Sequence, residues 1–154
     1  MTQAVITGSG LYTPPYSISN EELVNSFNEY VRRYNQAHQQ AIESGAVEAL
    51  EESSVEFILK ASGIENRYVM DKAGILDPDI MRPQLPTRAN DEPSIMCDMG
   101  VAAGCEALQQ AGRRAEDVDG VIVGCSNMQR AYPAMAVEIQ HYLGIEGWGY
   151  DLNV

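Results

Sequence analysis

The chain has 154 residues, enough for one domain with a real hydrophobic core. Its 10 basic and 22 acidic side chains give a formal charge of −12. That balance argues against nucleic-acid binding, which needs cations to displace the counterions of phosphate. Hydrophobic residues make up 45% of the chain. No run approaches the ~18 apolar residues of a membrane helix, and the N-terminus has no basic segment leading an apolar stretch. The expectation is a cytoplasmic globular protein with no nucleic-acid partner and no membrane span.

In chain order, Val5-Ile6 before Gly8, Gly10 and Pro14-Pro15 predicts a short strand leaving into a tight loop. Ser19-Asn20-Glu21-Glu22 is a capping box, with a hydroxyl for an orphan amide and a carboxylate three residues on. Leu23, Phe27, Tyr30, Val31, Tyr34, His38 and Ile42 follow at helical spacing, predicting a long amphipathic helix broken near Gly45. Val47, Leu50, Ser54, Ile58 and Ala61 predict a second helix with Gly63 at its C′ position. Ile64 to Val69 reads as a strand. Residues 70–92 hold Gly74, Pro78, Pro83 and Pro86 without a sustained period and read as an irregular loop.

Asp91-Glu92-Pro93 is read as the opening of another helix, acidic at the positive end of its dipole. Its small residues Gly100, Ala103, Gly104 and Ala107 would let a neighbouring layer lie close, and it ends at Gly112. Val121-Ile122-Val123 predicts a strand buried on both faces. Pro133 begins a helix closed by Gly144, and a final strand covers 149–154. Alternating helices and strands define an α/β fold, with connections suited to parallel pairing.

Cys97, Cys105 and Cys125 form no CxxC pair and sit among small or apolar residues, so buried free thiols are expected, not a disulfide framework or zinc site. His38 and His141 stand apart on helical stretches and read as surface or packing residues. Clustered carboxylates are also lacking, so no metal site is expected.

Three stretches together resemble one family. They are Val5 to Pro14 with Asn20-Glu21-Glu22-Leu23; Phe57-Ile58-Leu59-Lys60-Ala61-Ser62-Gly63-Ile64-Glu65-Asn66-Arg67-Tyr68; and Met99 to Val154, with Asp117-Val118-Asp119-Gly120, Tyr132-Pro133, Leu143-Gly144 and Tyr150-Asp151-Leu152. In order and spacing they are similar to the 3-oxoacyl-(acyl-carrier-protein) synthase III family of thiolase-fold condensing enzymes. Residues of about 25–52 and 70–90 are longer than that family usually carries.

The resemblance implies the N-terminal half of a thiolase-like fold, residues 1–154, a mixed sheet layered with helices, in a protein that works as a homodimer. The second half would be a separate continuation, needed to cover an apolar face. It also implies an acyltransferase that condenses an acyl thioester, acyl coenzyme A, with malonyl acyl-carrier protein through an acyl-cysteine. Coenzyme A enters as part of the substrate, and no cofactor is implied. In the family the last strand runs into Ala-Cys at a helix N-terminus, so the nucleophile would lie two residues past Val154 and no catalytic residue falls within this chain.

Three residues carry over as substrate contacts. Phe57 falls where the family often has a Trp that stacks on adenine; a core or helix-interface Phe is the plain alternative. Ser53 matches a hydroxyl residue of the same site and could equally be a solvated helix residue. Tyr132 matches an aromatic that closes the partner's acyl pocket across the dimer, against a plain packed Tyr. Ala61 replaces a nucleotide-binding Arg, and Cys125 matches a non-catalytic small residue. The carrier protein is acidic and wants a basic patch, yet Arg32-Arg33 and Arg113-Arg114 are the only basic doublets. The long insertions suggest a medium-length acyl group. Two other readings remain: a specialised-metabolite ketosynthase of the same superfamily, and a non-catalytic subunit using this fold to dimerise.

Overall fold

A computed structural model describes residues 3–153. The chain divides into two compact units: Thr13–Pro86, and the described parts of Met1–Tyr12 with those of Thr87–Val154.

In the Thr13–Pro86 unit, β1 (Tyr16–Ser19) pairs antiparallel with β2 (Asn66–Val69), with Tyr16 opposite Val69 and Ser19 opposite Asn66. Ile18 turns inward and is buried. Helix α1 (Asn20–Ala37) starts where the capping box predicts: the Ser19 hydroxyl accepts from the Glu22 amide, and the Glu22 carboxylate accepts from the Ser19 amide. Val24 and Val31, two turns apart, bury one stripe of it. The chain departs from helical geometry at His38, and a short α2 (Gln39–Glu43) continues beyond.

Helix α3 (Val55–Ser62) begins at Ser54, whose hydroxyl accepts from the Phe57 amide, and stops at Gly63. The Gly63 φ of +69° is left-handed, which glycine adopts without a Cβ clash. A single turn, α4 (Ala73–Leu76), interrupts the predicted loop. It is pinned by Asp71, whose carboxylate accepts from the amides of Gln84, Gly74 and Ala73 and is thereby held below the usual carboxylate range.

In the other unit, α5 (Ile95–Ala111) is capped by Ser94 and ends at left-handed Gly112. A 3₁₀ turn (Ala115–Asp117) leads to β3 (Gly120–Gly124). Then come α6 (Met135–Leu143), ending at Gly144, and β4 (Trp148–Leu152). The two strands pair in parallel with α6 as the crossover, Gly120 opposite Trp148 and Gly124 opposite Leu152. The small residues of α5 do what their size suggests. A Cβ on Gly104 would sit 3.0 Å from Leu143, and one on Gly100 would strike Ile139. Cys97, Met135 and Ile139 form the buried centre, with Val121, Val123 and Leu143 against it.

Several expectations need correcting. Residues 3–12 form no strand among the described residues; they run extended along α5. There the Ser9 and Leu11 amides donate to the Gln110 and Glu106 side chains. Without a neighbouring strand to accept a ladder, helix side chains take those amides instead. The predicted helix from Val47 begins only at Val55, because Asn35 and Asn28 of α1 hold 50–53 extended by side-chain bonds that replace helical ones. β3 is not buried on both faces: Ile122 is 50% exposed. Pro93 and Pro133 precede α5 and α6 by two residues each; the caps are Ser94 and Ala134. Of the thiols only Cys97 is buried, while Cys105 is exposed and Cys125 intermediate.

Candidate functional site

The segment between α1 and α3 builds a cavity. Asn28, on α1, makes a two-pronged bond to Ser53: its Nδ2 donates to the Ser53 carbonyl at 2.9 Å and its Oδ1 accepts from the Ser53 amide at 2.8 Å. Two turns later Asn35 does the same to Leu50, at 2.9 Å in both directions. A side-chain amide offers one donor and one acceptor side by side, which matches the carbonyl and amide of an extended residue. Residues 50–53 are thus strapped along α1.

The strap brings Ser53 and Phe57 to one cavity, lined also by Phe27, Glu51, Glu52 and Ser54. An adjoining cavity of about 270 Å³ shares Ser53 and Phe27 and is otherwise apolar, walled by Leu23, Val24, Ile58 and Met81. Met81 sits at φ +50°, a left-handed conformation uncommon for a side chain of its size. Phe57 is 66% exposed, its ring open to solvent within this chain. Ser53 lies in the strap and not in a helix.

The rim is acidic. Glu51 and Glu52 line it, and Glu52 pairs with Arg32 at 3.0 Å. Arg32 also bonds Glu29, and Arg33 bonds Glu29 and Asp79. These hydrogen bonds, Arg33's first, hold the Glu29 carboxyl below its usual range. Both cations of this doublet are therefore engaged by carboxylates. Ala61 adds no positive charge.

Tyr132 belongs to the other unit and is 91% exposed on the segment between β3 and α6. Within this chain nothing packs over its ring. The segment's flank is held by a buried cluster. Glu138 of α6, 5% exposed, accepts from the Ser94 amide and hydroxyl, both at 2.7 Å, and from Arg130 at 3.3 Å. At the start of α6 the Asp151 carboxylate accepts from the amides of Met135 and Ala136, both at 2.8 Å. It thereby satisfies donors that a helix end leaves orphaned.

Cys97 is unlike a nucleophile. Burial, then the nearby Glu138 and Asp98 carboxylates, pushes the Cys97 thiol up to about 11. Cys125, at the end of β3, accepts a bond from the Asn127 amide through Sγ. His38 stacks on Tyr34, and His141 meets Tyr142 edge-on. Among the described residues no cluster of three or more His, Cys, Asp or Glu could hold a metal, and no helix is long and apolar enough to cross a membrane.

Sequence reasoning missed Phe27, Asn28 and Met81 at the cavity, and Arg130, Glu138 and Ser94 near Tyr132. Asn28 and Asn35 carry a legible signal, two carboxamides seven residues apart on one helix face. Met81 carries none, because its place depends on a backbone turn.

This architecture is part of the thiolase fold of condensing enzymes. The priming β-ketosynthase of the R1128 polyketide pathway aligns at TM-score 0.60 and 24% identity, over 96% of this chain and 31% of that one. The 3-oxoacyl-[acyl-carrier-protein] synthase III of Aquifex aeolicus aligns at 0.60 and 20%, over 96% and 33%. At such identities the likeness is one of fold. In sequence the chain is similar to a β-ketodecanoyl-[acyl-carrier-protein] synthase of Pseudomonas aeruginosa. The two are 64% identical over 131 residues, 85% of this chain and 37% of the relative. It is also 27% identical over 154 residues to a β-ketoacyl-[acyl-carrier-protein] synthase III of Granulibacter bethesdensis, 99% of this chain and 34% of the relative. No family model matches. The resemblance to synthase III read from the sequence therefore holds, and the chain spans about a third of the length of these relatives.

Proposed function

We propose that this chain is part of an acyltransferase that condenses an acyl thioester with malonyl acyl-carrier protein to give a 3-oxoacyl product. The observation that carries this reading is the 64% identity over 131 residues to a synthase named for a β-ketodecanoyl product. A ten-carbon product less the two carbons that malonyl contributes gives an eight-carbon donor, so the preferred substrate is a medium-chain acyl thioester such as an acyl coenzyme A.

The attacking group is a cysteine thiolate placed just past Val154, at the amino end of a helix that follows β4. Partial positive charge there lowers a thiol's pKa, and free amides stabilise an oxyanion. The thiolate displaces coenzyme A as its thiol and becomes acylated. Malonyl carrier protein then loses CO₂, its carbanion attacks the acyl-enzyme carbonyl, and the cysteine leaves as thiolate. Cys97, with its thiol pushed up to about 11, is unsuited to that part. The working form is a cytoplasmic homodimer in which this chain is joined to the second half of the fold.

In this reading Ser53, Phe57 and Phe27 receive the donor. The apolar wall from Leu23 to Met81 takes uncharged parts of it, while Glu51 and Glu52 offer nothing to phosphate. Kinetics of the full-length enzyme with coenzyme A esters from two to twelve carbons test the reading. The eight-carbon ester should give the highest kcat/KM, and a best rate with acetyl would overturn the chain-length assignment. A subunit that only dimerises would never be acylated, so intact mass after incubation with octanoyl coenzyme A decides that alternative.

A further inference from the structure

We propose that the paired cavities between α1 and α3 form a binding site for a cationic amphiphile, a medium-length alkyl chain carrying an ammonium head. The site goes beyond the condensing reading and does not depend on it, because binding is measured directly. It overlaps the place where the donor is received above, so the two ligands exclude each other.

The tail has a place of matching size and chemistry. The smaller cavity is walled by Leu23, Val24 and Phe27 of α1, Ile58 of α3 and Met81, with Ser53 as its one polar residue. A dry apolar cavity of about 150 Å³ takes benzene, so one of about 270 Å³ takes a chain on the order of ten carbons. The Met81 wall is held from both sides. Its amide donates to the Asp77 carbonyl at 2.9 Å, and the Arg82 amide donates to the Gly74 carbonyl at 3.2 Å. A side chain stays at positive φ only where its surroundings impose it, and such residues gather at ligand clamps.

The head has its own place. The adjoining cavity shares Ser53 and Phe27 with the first and adds the open Phe57 ring and the Glu51 and Glu52 carboxylates. No Lys or Arg lines either cavity. Glu52 already pairs with Arg32 at 3.0 Å, while Glu51 makes no ion pair among the described residues. An aromatic face attracts a cation through its quadrupole, and quaternary ammonium ligands are commonly held in this way. A nearby carboxylate adds to that attraction and repels an anionic head. A fatty carboxylate therefore meets like charge, and a neutral alcohol forgoes what the head contributes. The Ser53 backbone is bonded to Asn28 in both directions, which fixes the junction between the two cavities.

The test is calorimetry on the full-length protein with octyltrimethylammonium. It should bind about fivefold tighter than 1-octanol, the worth of an exposed cation–π contact, and octanoate should not bind. Affinity should rise about three- to fourfold for each methylene from butyl upward and level off near decyl, where the cavity is full. Glu51→Gln, at an exposed position, should weaken the ammonium about threefold and leave 1-octanol unchanged. The Met81 methyl signal in ¹³C spectra, assigned by its loss in Met81→Leu, should move during the titration.

Octanoate binding as tightly as the ammonium overturns the proposal, as does an equal loss of ammonium and alcohol in Glu51→Gln. So does a Met81 signal that stays still while heat is released, since the ligand then lies elsewhere. A parent that binds none of the three probes overturns it outright. A protein that binds the ammonium beside Met81 yet transfers no acyl group keeps this site and loses the condensing reading.

Discussion

Phe57 leaves about two thirds of its surface in solvent beside Phe27, an arrangement with an unfavourable hydrophobic cost unless something flat covers the ring. Base–aromatic stacking contributes about 1–3 kcal/mol where it has been isolated in single-stranded nucleic acid, and an open site gains the lower part of that range. Phe57→Ala should therefore raise KM for acyl coenzyme A by about fivefold with kcat little changed, read by steady-state kinetics. A changed kcat at constant KM would place Phe57 elsewhere in the reaction. Cys97 illustrates the opposite environment. With its thiol raised to about 11, it should react with iodoacetamide at pH 8 far more slowly than exposed Cys105, as peptide mass spectrometry would show. The linkage sign follows from protons bound. The folded state holds this proton above the pH at which the unfolded thiol, near 9, loses it. The stability so contributed is full below about 9 and is lost as pH rises towards 11.

At the scale of elements, the strap on α1 is the least conventional part. Segment 50–53 has no strand partner and depends on the Asn28 and Asn35 carboxamides. A typical intramolecular hydrogen bond contributes about 0.5–1.5 kcal/mol, so Asn28→Ala, which removes two, should cost about 1–3 kcal/mol. Urea unfolding of the full-length protein measures this. The same variant should weaken acyl coenzyme A binding, because the strap carries Ser53 to the cavity. The extended segment over α5 depends instead on the absence of a side chain. A Cβ on Gly8 would lie 2.8 Å from the Ala111 nitrogen and closer still to the Ala107 carbonyl, and one on Gly10 would strike Ala103. Backbone cannot yield there as a flexible side chain would. Gly10→Ala should lift the segment from the helix and lower the thermal midpoint by several degrees, at about 1–3 kcal/mol for overpacking.

Across the whole chain the charge of −12 and the engaged Arg32-Arg33 doublet give the Phe57 cavity little attraction for the anionic acyl coenzyme A proposed as donor. Like-charge repulsion weakens as salt shortens the Debye length. Raising ionic strength from about 0.02 to 0.2 M should thus lower KM for acyl coenzyme A on the order of twofold, and leave the KM of the neutral acyl-pantetheine ester unchanged. Substrate attraction by a basic surface would give the opposite sign.

What the sequence determined by itself is local or periodic. Ser19 with Glu22, Gly63, Gly112 and Gly144 mark helix ends because a cap or a left-handed turn is satisfied within a few residues. The small residues of α5 announce a close neighbour, and the βαβ crossover from β3 to β4 follows from its pattern of elements. Family resemblance alone singles out Phe57 and Ser53, four residues apart in a segment of which only the part from Val55 is helical. Tertiary structure alone decided the rest. The span before Val55 has helical spacing, but two asparagines of another element offer its backbone better partners. Val5-Ile6 has strand composition, but among the described residues no strand lies beside it to share a ladder. Ser94 meets Glu138 only when the start of α5 lies beside α6. Hydrogen bonds and ion pairs are set by distance in space, and sequence spacing encodes that distance only within a single element.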